Sequence, residues 1–369
     1  MYRVLVSVRD AGCLVLVENF IKGNGTRFEL FLVLSGTALR SVENFQNLAC
    51  TVLPVQATGE ADLSFSASKI LNLVSPDFIV ASSSGPDSGL DEEFIWQARQ
   101  LHIPVGLLQD FPGDVNPHLK APPDLVFCST AFAASITKTR FNFETRVVGE
   151  LKYEDLHYKD LEGLRQAGRN MIRVSHEEKL FTIMLQPSNQ IKGYFDSVNL
   201  FVDEFVKTDA SLTFKVAIRA HPKSGEKDLA FARHLAQKIG EKRMARIPED
   251  MNYDNVLCAS DVVVSAFSSS GLDAIAVNKL LGCAEIDSVF VMNQTCKNWF
   301  SDYSGIENID ELFSSGRVLL NALEVKAYFT DAIIPKTPTF KKCNHSSSCV
   351  RLPSEVMGQI ILDHLCQHN

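Results

Sequence analysis

The pattern most informative about the fold lies in Asp261-Val-Val-Val-Ser-Ala-Phe-Ser-Ser-Ser-Gly-Leu-Asp-Ala-Ile-Ala-Val-Asn-Lys279. Its apolar start, residues 261–265, predicts a buried parallel strand, and the hydroxyl-rich turn after it leads into a helical pattern. Backbone N–H groups and the positive end of a helix dipole face a ligand at such a turn, which outlines a phosphate site. A serine that only caps the helix explains the same pattern. The residues of the turn are Ser268, Ser269, Ser270 and Gly271.

Outside that stretch, strand-like runs and helical patterns alternate from the first residues onward. Near-continuous Val, Ile, Leu and Phe runs between amphipathic helices indicate a parallel sheet covered on both faces. Residues 1–150 fit one such doubly wound domain. Its strands are predicted at residues 3–8, 28–34, 50–55, 78–82, 104–108, 125–128 and 146–148, and its helices at 61–74, 90–101 and 131–140.

A second alternation begins after a charged stretch that contains no strand pattern. Residues 151–175 predict a helical connection, residues 176–330 a second doubly wound domain, and residues 331–369 a loop with a helix over 354–366. The predicted fold class is therefore α/β, with two Rossmann-like domains in tandem. The strands of the second domain are predicted at 180–185, 213–218, 245–247, 262–265 and 280–284, and its helices at 194–207, 227–240, 252–259, 269–277 and 309–314.

Length and composition limit the class of protein. A chain of 369 residues exceeds one ordinary core, which favours two domains with a cleft between them. A formal charge of -8 argues against nucleic acid or an anionic membrane as the main partner. The apolar runs are shorter than a transmembrane segment or a signal peptide requires, so we expect a cytoplasmic protein. Nine cysteines without a Cys-x-x-Cys pair argue against disulfides and a zinc site, and no metal is expected.

Ligands of open parallel sheets bind beyond the carboxyl ends of the strands, so the loops after strands are the candidate site. The loop at residues 82–93 is rich in small residues, which let a ligand approach the backbone. Asp87 in this loop is a candidate catalytic carboxylate. We expect Asp91, Glu92 and Glu93 to stabilise the start of the next helix through its dipole.

A second loop of the first domain, residues 108–115, places Asp110 close to the end of a strong strand. Partial burial there would raise the pKa of a carboxyl group, as a general base near neutral pH requires. Asp110 is therefore the preferred base, and Asp114 is the alternative. An ordinary turn supported by Asp114 also fits this loop.

In the second domain, residues 218–225 carry a histidine and two cations at a strand end. His221 precedes Pro222, which holds it in an extended conformation at the sheet edge. Arg219, His221 and Lys223 together suit a phosphate or diphosphate leaving group. A structural histidine beside two solvated cations is the alternative.

Together, these motifs resemble those of the GT-B superfamily of nucleotide-sugar enzymes, over about residues 1–330. The resemblance rests on the turn at 146–156, on His221-Pro222 and on the serine-rich stretch at 266–279. The pairing of a His-Pro with a Ser-Ser motif is most similar to bacterial sialyltransferases and Kdo transferases, which use CMP-activated acidic sugars. It implies that His221 and Lys223 contact the nucleotide, that the serine turn holds the phosphate, and that Asp273 meets the ribose.

The chain departs from those transferases at the acid–base motif of the first domain. They carry two acidic residues followed by glycine, whereas this chain has Gln109-Asp110-Phe111-Pro112-Gly113. The resemblance implies an inverting, metal-independent glycosyltransferase without a cofactor, which is the first hypothesis. Its donor would be a nucleotide-sugar, with a CMP-sugar preferred, and its acceptor a glycan or a small molecule.

A second resemblance is to the non-hydrolysing UDP-N-acetylglucosamine 2-epimerases, carried by residues 103–110. Those enzymes have a glutamate where Gln109 falls and an aspartate where this chain has serines at 82–84. They also have an Arg-rich motif where this chain has residues 186–190. Epimerisation is therefore the second hypothesis, and a catalytically degenerate GT-B binding or scaffold protein is the third.

Overall fold

The computed structural model describes the chain except for residues 58, 86, 189–190, 210–211, 222–223, 282–285, 314–315, 333–350 and 369. Contacts divide the protein into two units, each built on its own parallel sheet. The first unit is Met1–Asp155 with Ser347–Asn369, and the second is Leu156–Ser346. The predicted α/β fold with two Rossmann-like domains is confirmed.

The first unit contains a seven-stranded parallel sheet. Its strands are β1 (Arg3–Val8), β2 (Glu29–Leu34), β3 (Thr51–Pro54), β4 (Phe78–Ser82), β5 (Val105–Leu108), β6 (Leu125–Cys128) and β7 (Thr145–Val147). Their order is β3-β2-β1-β4-β5-β6-β7, so the direction of the connections reverses between β1 and β4. The loops that follow β1 and β4 therefore flank the crevice in which ligands of such sheets bind.

Helices cover both faces of this sheet. They are α1 (Leu14–Asn24), α2 (Glu60–Val74), α3 (Leu90–Leu101) and α4 (Ala131–Phe141), with 3-10 turns at Ala11–Cys13, Gly36–Phe45 and Leu151–Tyr158. Val4, Val6 and Val8 join the core under α1, whereas Leu5 joins the core under α2 and α3. Burial on both faces explains why the strands are apolar throughout.

The second unit contains a six-stranded parallel sheet in the order β10-β9-β8-β11-β12-β13. Its reversal point lies between β8 and β11. The strands are β8 (Lys179–Met184), β9 (Phe214–Arg219), β10 (Met244–Ala245), β11 (Val262–Ser265), β12 (Asp287–Val291) and β13 (Arg317–Leu319).

The helices of the second unit are α5 (Leu161–Ile172), α6 (Tyr194–Val206), α7 (Glu226–Ile239), α8 (Tyr253–Ala259), α9 (Ser269–Leu281), α10 (Gln294–Ser304), α11 (Ile309–Leu312) and α12 (Ala322–Ala332). One face of the sheet is filled by aromatic rings. The ring centroid of Phe181 on β8 lies 6.2 Å from that of Phe201, 5.8 Å from that of Phe205 and 5.9 Å from that of Phe329. This cluster holds α6 and α12 against the strands.

The helical connection predicted at residues 151–175 divides between the two units after Asp155. Its helix α5 belongs to the second unit, where it packs on α8. Arg165 and Arg169 of α5 both bind the carboxylate of Asp261. Asp261 also accepts a hydrogen bond of 2.7 Å from the backbone N–H of Leu180. A buried pair of guanidinium groups thus fixes the start of β11 and, through it, the position of the serine turn.

The C-terminal helix, α13 (Pro353–His368), belongs to the first unit. It packs on α1, where Asn24 Nδ2 donates to the carbonyl oxygen of Ser354 at 2.8 Å. Glu154 accepts from the backbone N–H of Ser354 at 2.9 Å and from its hydroxyl at 2.6 Å. The last helix is therefore part of the core around α1.

One predicted strand is wrong. Residues 280–284 were expected to extend as a strand, but α9 continues to Leu281, and residues 282–285 lie outside the described part of the chain. The next strand is β12, which the sequence pattern did not predict. A short apolar run fits a buried helix end as well as a buried strand, so periodicity could not separate them.

Candidate functional site

In the first unit, Arg9 joins the two loops at the reversal point of the sheet. Its Nη2 donates to the carbonyl oxygen of Asp87 at 2.6 Å and lies 3.7 Å from Oε2 of Glu92. Its Nε is buried and has no hydrogen-bond partner in the described part of the chain. The guanidinium also passes close to Gly89, where a Cβ would lie 2.4 Å from Cδ of Arg9. Glycine at this position permits the approach of Arg9 to the loop after β4.

Asp91, on the first turn of α3, lies in a cage of serine hydroxyl groups. Its carboxylate accepts from Ser7, from Ser82 at 3.1 Å and from Ser84 at 2.7 Å. Complete burial raises the pKa of Asp91, although these hydroxyl groups and Arg9 oppose the increase. The sequence prediction gave Asp91 only a role at the helix start. Its spacing from the apolar residues of α3 was the signal that it faces inward.

Glu92 is the buried carboxyl group beside Asp91. It accepts from the backbone N–H of Gly89 and from Nδ2 of Asn116, both at 2.7 Å. The first of these bonds caps α3, whereas the sequence prediction gave Glu92 a role at this helix start through the dipole alone. Burial, and then the charge of Asp91, raises the pKa of Glu92 to about 7, while Arg9 acts in the opposite direction. Glu92 therefore exchanges a proton near neutral pH.

The two carboxylates chosen from the sequence, Asp87 and Asp110, are exposed rather than buried. The expectation of partial burial is therefore wrong for Asp110. The preceding residue, Gln109, takes the inward position and donates to Thr137 Oγ1 at 3.0 Å. Asp110 instead reaches over the turn after β1, where a Cβ on Gly12 would lie 3.2 Å from its Oδ2.

The loop after β5 is tied to the loop after β4 through Asp114. Ser83 Oγ donates to Oδ2 of Asp114 at 2.8 Å, and the Cys13 thiol donates to the carbonyl oxygen of Ser83 at 3.1 Å. Burial raises the pKa of Cys13 well above its usual range, and the neighbouring charge of Asp110 adds to this. Cys13 is therefore a neutral packing group. The structure brings Asp87, Asp110 and Asp114 to one edge of the first sheet.

In the second unit, Gln186 connects the loops at the reversal point between β8 and β11. Its Oε1 accepts from the backbone N–H of Phe267 at 3.2 Å. Its own backbone N–H donates to the Tyr194 hydroxyl at 2.6 Å. The sequence prediction noted this loop only as a departure from the epimerases and did not identify Gln186 as a site residue.

The serine turn opens α9 as the sequence predicted. Ser268 precedes the helix, and its Oγ accepts from the backbone N–H of Ser270 at 3.2 Å, so it is a helix cap. The backbone N–H groups of Ser268 and Ser269 donate to no described residue. Gly271 packs tightly, since a Cβ there would lie 2.4 Å from the ring of Phe290. The turn thus contains a cap and also two N–H groups at the positive end of a helix.

Two further predicted residues are linked through Tyr253, which the sequence prediction missed. The Tyr253 hydroxyl donates to Oδ2 of Asp273 at 2.5 Å, and the Arg219 guanidinium lies 5.4 Å from the centroid of the Tyr253 ring. Burial, and then Asp273, raises the pKa of Tyr253 well above its usual range. Burial lowers the pKa of Arg219. Asp273 is itself 2% exposed, so its predicted contact with a ribose stays a prediction.

His221, in the loop after β9, is half-buried. Pro222 and Lys223 lie outside the described residues. Asp228 on α7 holds this loop to the one after β8, because it accepts from the backbone N–H groups of Ser188 and Gly225, each at 3.1 Å. Desolvation raises the pKa of Asp228, but these hydrogen bonds outweigh it and hold the pKa below its usual value. Asp228 therefore stays ionised and fixes both loops.

Two features are absent from the described residues. No group of three or more His, Cys, Asp or Glu side chains is arranged to hold a metal ion. Across the same residues, no helix combines the length and the apolar character that crossing a bilayer requires.

Comparison with known proteins identifies relatives by structure only. No protein-family model matches the sequence, and no curated protein matches it. The UDP-GlcNAc 2-epimerase from Neisseria meningitidis bound to UDP-GlcNAc is similar in structure, with a TM-score of 0.64, 11% identity and 100% of both chains covered. The S. aureus MnaA–UDP complex has a TM-score of 0.64 at 13% identity, covering 91% of this chain and 88% of that one.

A glycosyltransferase from Rickettsia africae ESF-5 is also similar, with a TM-score of 0.57, 13% identity, and 90% of this chain and 88% of that one covered. At such identities the likeness concerns the fold. The fold of this chain is the one that these epimerase and glycosyltransferase structures share, the GT-B fold with two Rossmann-like domains.

Proposed function

We propose that this chain is an enzyme that acts on a nucleotide-activated sugar and binds the nucleotide phosphate in its second unit. The serine turn carries the proposal. It lies at the reversal point of the sheet, where the backbone N–H groups of Ser268 and Ser269 donate to no described residue at the start of the 13-residue helix α9. Such a helix start stabilises a phosphate through its N–H groups and its dipole.

We infer that the nucleotide is uridine-based. Two of the structures with this fold contain UDP or UDP-GlcNAc, which favours uridine over the cytidine expected from the sequence motifs. The comparisons give no support to the sialyltransferase or Kdo-transferase type. Arg219 ends β9 and the half-buried His221 follows it, in the same sheet whose strand β11 leads into the serine turn. We assign His221 to the phosphate, together with Lys223.

For the reaction, we propose inverting transfer of the sugar to an acceptor hydroxyl group. The acceptor oxygen forms a bond to the anomeric carbon, the bond from that carbon to the phosphate oxygen breaks with its electron pair on the phosphate, and the hydroxyl proton goes to a base. The base would be a carboxylate at the carboxyl-end edge of the first sheet, and Asp110, which reaches over the turn after β1, is our first choice. Asp87, exposed at the same edge, is the second choice.

A thermal-shift comparison tests the nucleotide site. UDP at 100 times its dissociation constant should stabilise the protein by about 2.7 kcal/mol, and the shift should be smaller for His221→Ala. A larger shift with CMP than with UDP would instead favour the acidic-sugar donor predicted from the sequence. Protein that responds to none of UDP, UMP, CMP, CDP and GDP would contradict the nucleotide site and favour the scaffold hypothesis.

Asp110→Asn tests the assignment of the base. Loss of a general base lowers kcat by about 100-fold or more, while UDP affinity is expected to stay unchanged because the nucleotide is assigned to the second unit. The matched control is Asp363→Asn, which removes an exposed carboxylate from α13 of the same unit. Wild-type turnover in Asp110→Asn would eliminate Asp110 as the base and move the assignment to Asp87.

The second candidate function is epimerisation of a UDP-sugar. Glu92 favours it, because a carboxyl group with a pKa of about 7 can both take up and release a proton at neutral pH. Gln109 disfavours it, because a buried amide that donates to Thr137 cannot transfer protons. The two reactions are separated by incubation with UDP-GlcNAc alone. Interconversion of UDP-sugars without an acceptor identifies an epimerase, whereas release of UDP only when an acceptor is added identifies a transferase.

A further inference from the structure

The side-chain amide of Gln186 has a defined orientation. Its Oε1 faces the backbone N–H of Phe267 at 3.2 Å, and an N–H group can only donate. The oxygen of the amide must therefore face Phe267, so the other atom, Nε2, is directed elsewhere with two donor hydrogens. Among the described residues, none accepts a hydrogen bond from Nε2.

The position of Gln186 is fixed by its surroundings. The hydroxyl group of Tyr194, a residue that is 2% exposed, accepts from the backbone N–H of Gln186 at 2.6 Å. Two residues later, the backbone N–H of Ser188 donates to Asp228, which also holds Gly225 of the loop after β9. Gln186 is therefore presented by a loop that is anchored on both sides, which favours binding because little order has to be gained.

Other polar groups without partners among the described residues lie on the segment that Gln186 contacts, residues 265–269. Phe267, the residue that Gln186 contacts, directly precedes Ser268 in the turn, and the backbone N–H groups of Ser268 and Ser269 donate to no described residue. The hydroxyl of Ser265 at the end of β11 is buried, 2% exposed, and has no hydrogen-bond partner among the residues that the structure describes. The Gln186 amide and the two N–H groups of the turn thus leave hydrogen-bond donors at the end of β11, which an acceptor-rich ligand would satisfy.

We propose that Gln186 binds the nucleotide directly, with Nε2 donating to an oxygen of the phosphate held at the serine turn. The inference rests on the proposed nucleotide site and adds to it a neutral donor from the loop after β8. Oε1 holds the serine turn in place while Nε2 donates a hydrogen bond to the phosphate. One side chain therefore both orders the turn and binds the ligand.

Two substitutions separate these two tasks. Gln186→Glu keeps an oxygen for the N–H of Phe267 but places a negative oxygen where Nε2 was, whereas Gln186→Ala removes both groups. If Nε2 contacts a phosphate, Gln186→Glu should bind UDP more weakly than Gln186→Ala, with at least about a tenfold loss relative to wild type. Calorimetric titration with UDP measures the affinities. Gln237→Glu is the matched control, because it adds the same charge at an exposed position of α7 in the same unit.

The opposite order would overturn the inference. If Gln186 only holds the turn, Gln186→Glu should bind UDP as wild type does and Gln186→Ala should be the weaker binder. If Gln186→Glu does not fold, Gln186→Lys replaces it, because lysine supplies a donor for the phosphate but no oxygen for the N–H of Phe267. Tighter UDP binding by Gln186→Lys than by Gln186→Ala supports the contact, and equally weak binding by both overturns it. Failure of the proposed function can be told apart from failure of this contact, because wild-type protein would then bind no UDP at all. In that case the inference fails together with the proposed nucleotide site.

Discussion

The proton held by Glu92 should make the stability of this protein depend on pH between about pH 5 and pH 8.5. The pKa of Glu92 is raised to about 7 in the folded protein by burial and by Asp91, from an ordinary value of 4.5. The folded state therefore binds this proton more tightly than the unfolded state. Its contribution to stability is complete below the unfolded pKa and is lost as the pH rises through about 7.

The magnitude follows from the size of the shift. Each pKa unit corresponds to about 1.4 kcal/mol, and linkage between about pH 5 and pH 8.5 removes about 2.5 kcal/mol from the free energy of unfolding. The side chain of Glu92 is only 2% exposed, so solvent screening reduces this value little. For a unit of this size, such a loss lowers Tm by about 5 to 10 °C.

Glu92→Gln isolates this effect because an amide resembles the protonated carboxyl group and does not titrate. Scanning calorimetry should show Tm falling between about pH 5 and pH 8.5 in both proteins. We expect the decrease for Glu92→Gln to be about 5 to 10 °C smaller than the decrease for wild type. The quantity to compare is the change of Tm with pH and not Tm itself, because the substitution also changes the hydrogen bonds to Gly89 and Asn116. Glu60→Gln, at a side chain that is 83% exposed, is the control and should keep the wild-type slope. Parallel curves for wild type and Glu92→Gln would refute the raised pKa.

Three further substitutions test the packing around the candidate site. Asp261→Asn leaves two buried guanidinium groups without their carboxylate, so urea unfolding should show a loss of about 3 to 5 kcal/mol in the second unit. Gly271→Ala places a methyl group against the ring of Phe290 and should cost about 1 to 3 kcal/mol and weaken UDP binding, whereas Gly225→Ala, with open space around it, should do neither. Glu154→Ala removes the acceptor of two hydrogen bonds from α13, so amide exchange in that helix should accelerate by about tenfold or more.

The alternation of apolar runs and amphipathic helical patterns predicted most of the fold, because both sheets are parallel and covered on both faces. Such strands are apolar along most of their length, as in β1, β4 and β11, and the boundaries of these three were predicted to the residue. The prediction failed at residues 280–284, where the apolar run belongs in part to the end of α9. The loops after strands were also identified correctly as polar edges, because a parallel sheet brings all carboxyl ends to one side.

The tertiary structure alone decided which polar side chains are buried and which atoms meet. From the sequence, Asp91 and Glu92 are acidic residues at a helix start, whereas Asp110 is the carboxylate at a strand end. In the folded unit the first two are buried and the third is exposed. Desolvation and neighbouring charges set a pKa, and both depend on residues far away in the chain. For the same reason the sequence could not identify Gln186. Its amide is oriented by the N–H of Phe267, and the two residues meet only because β8 and β11 are neighbours in the folded sheet.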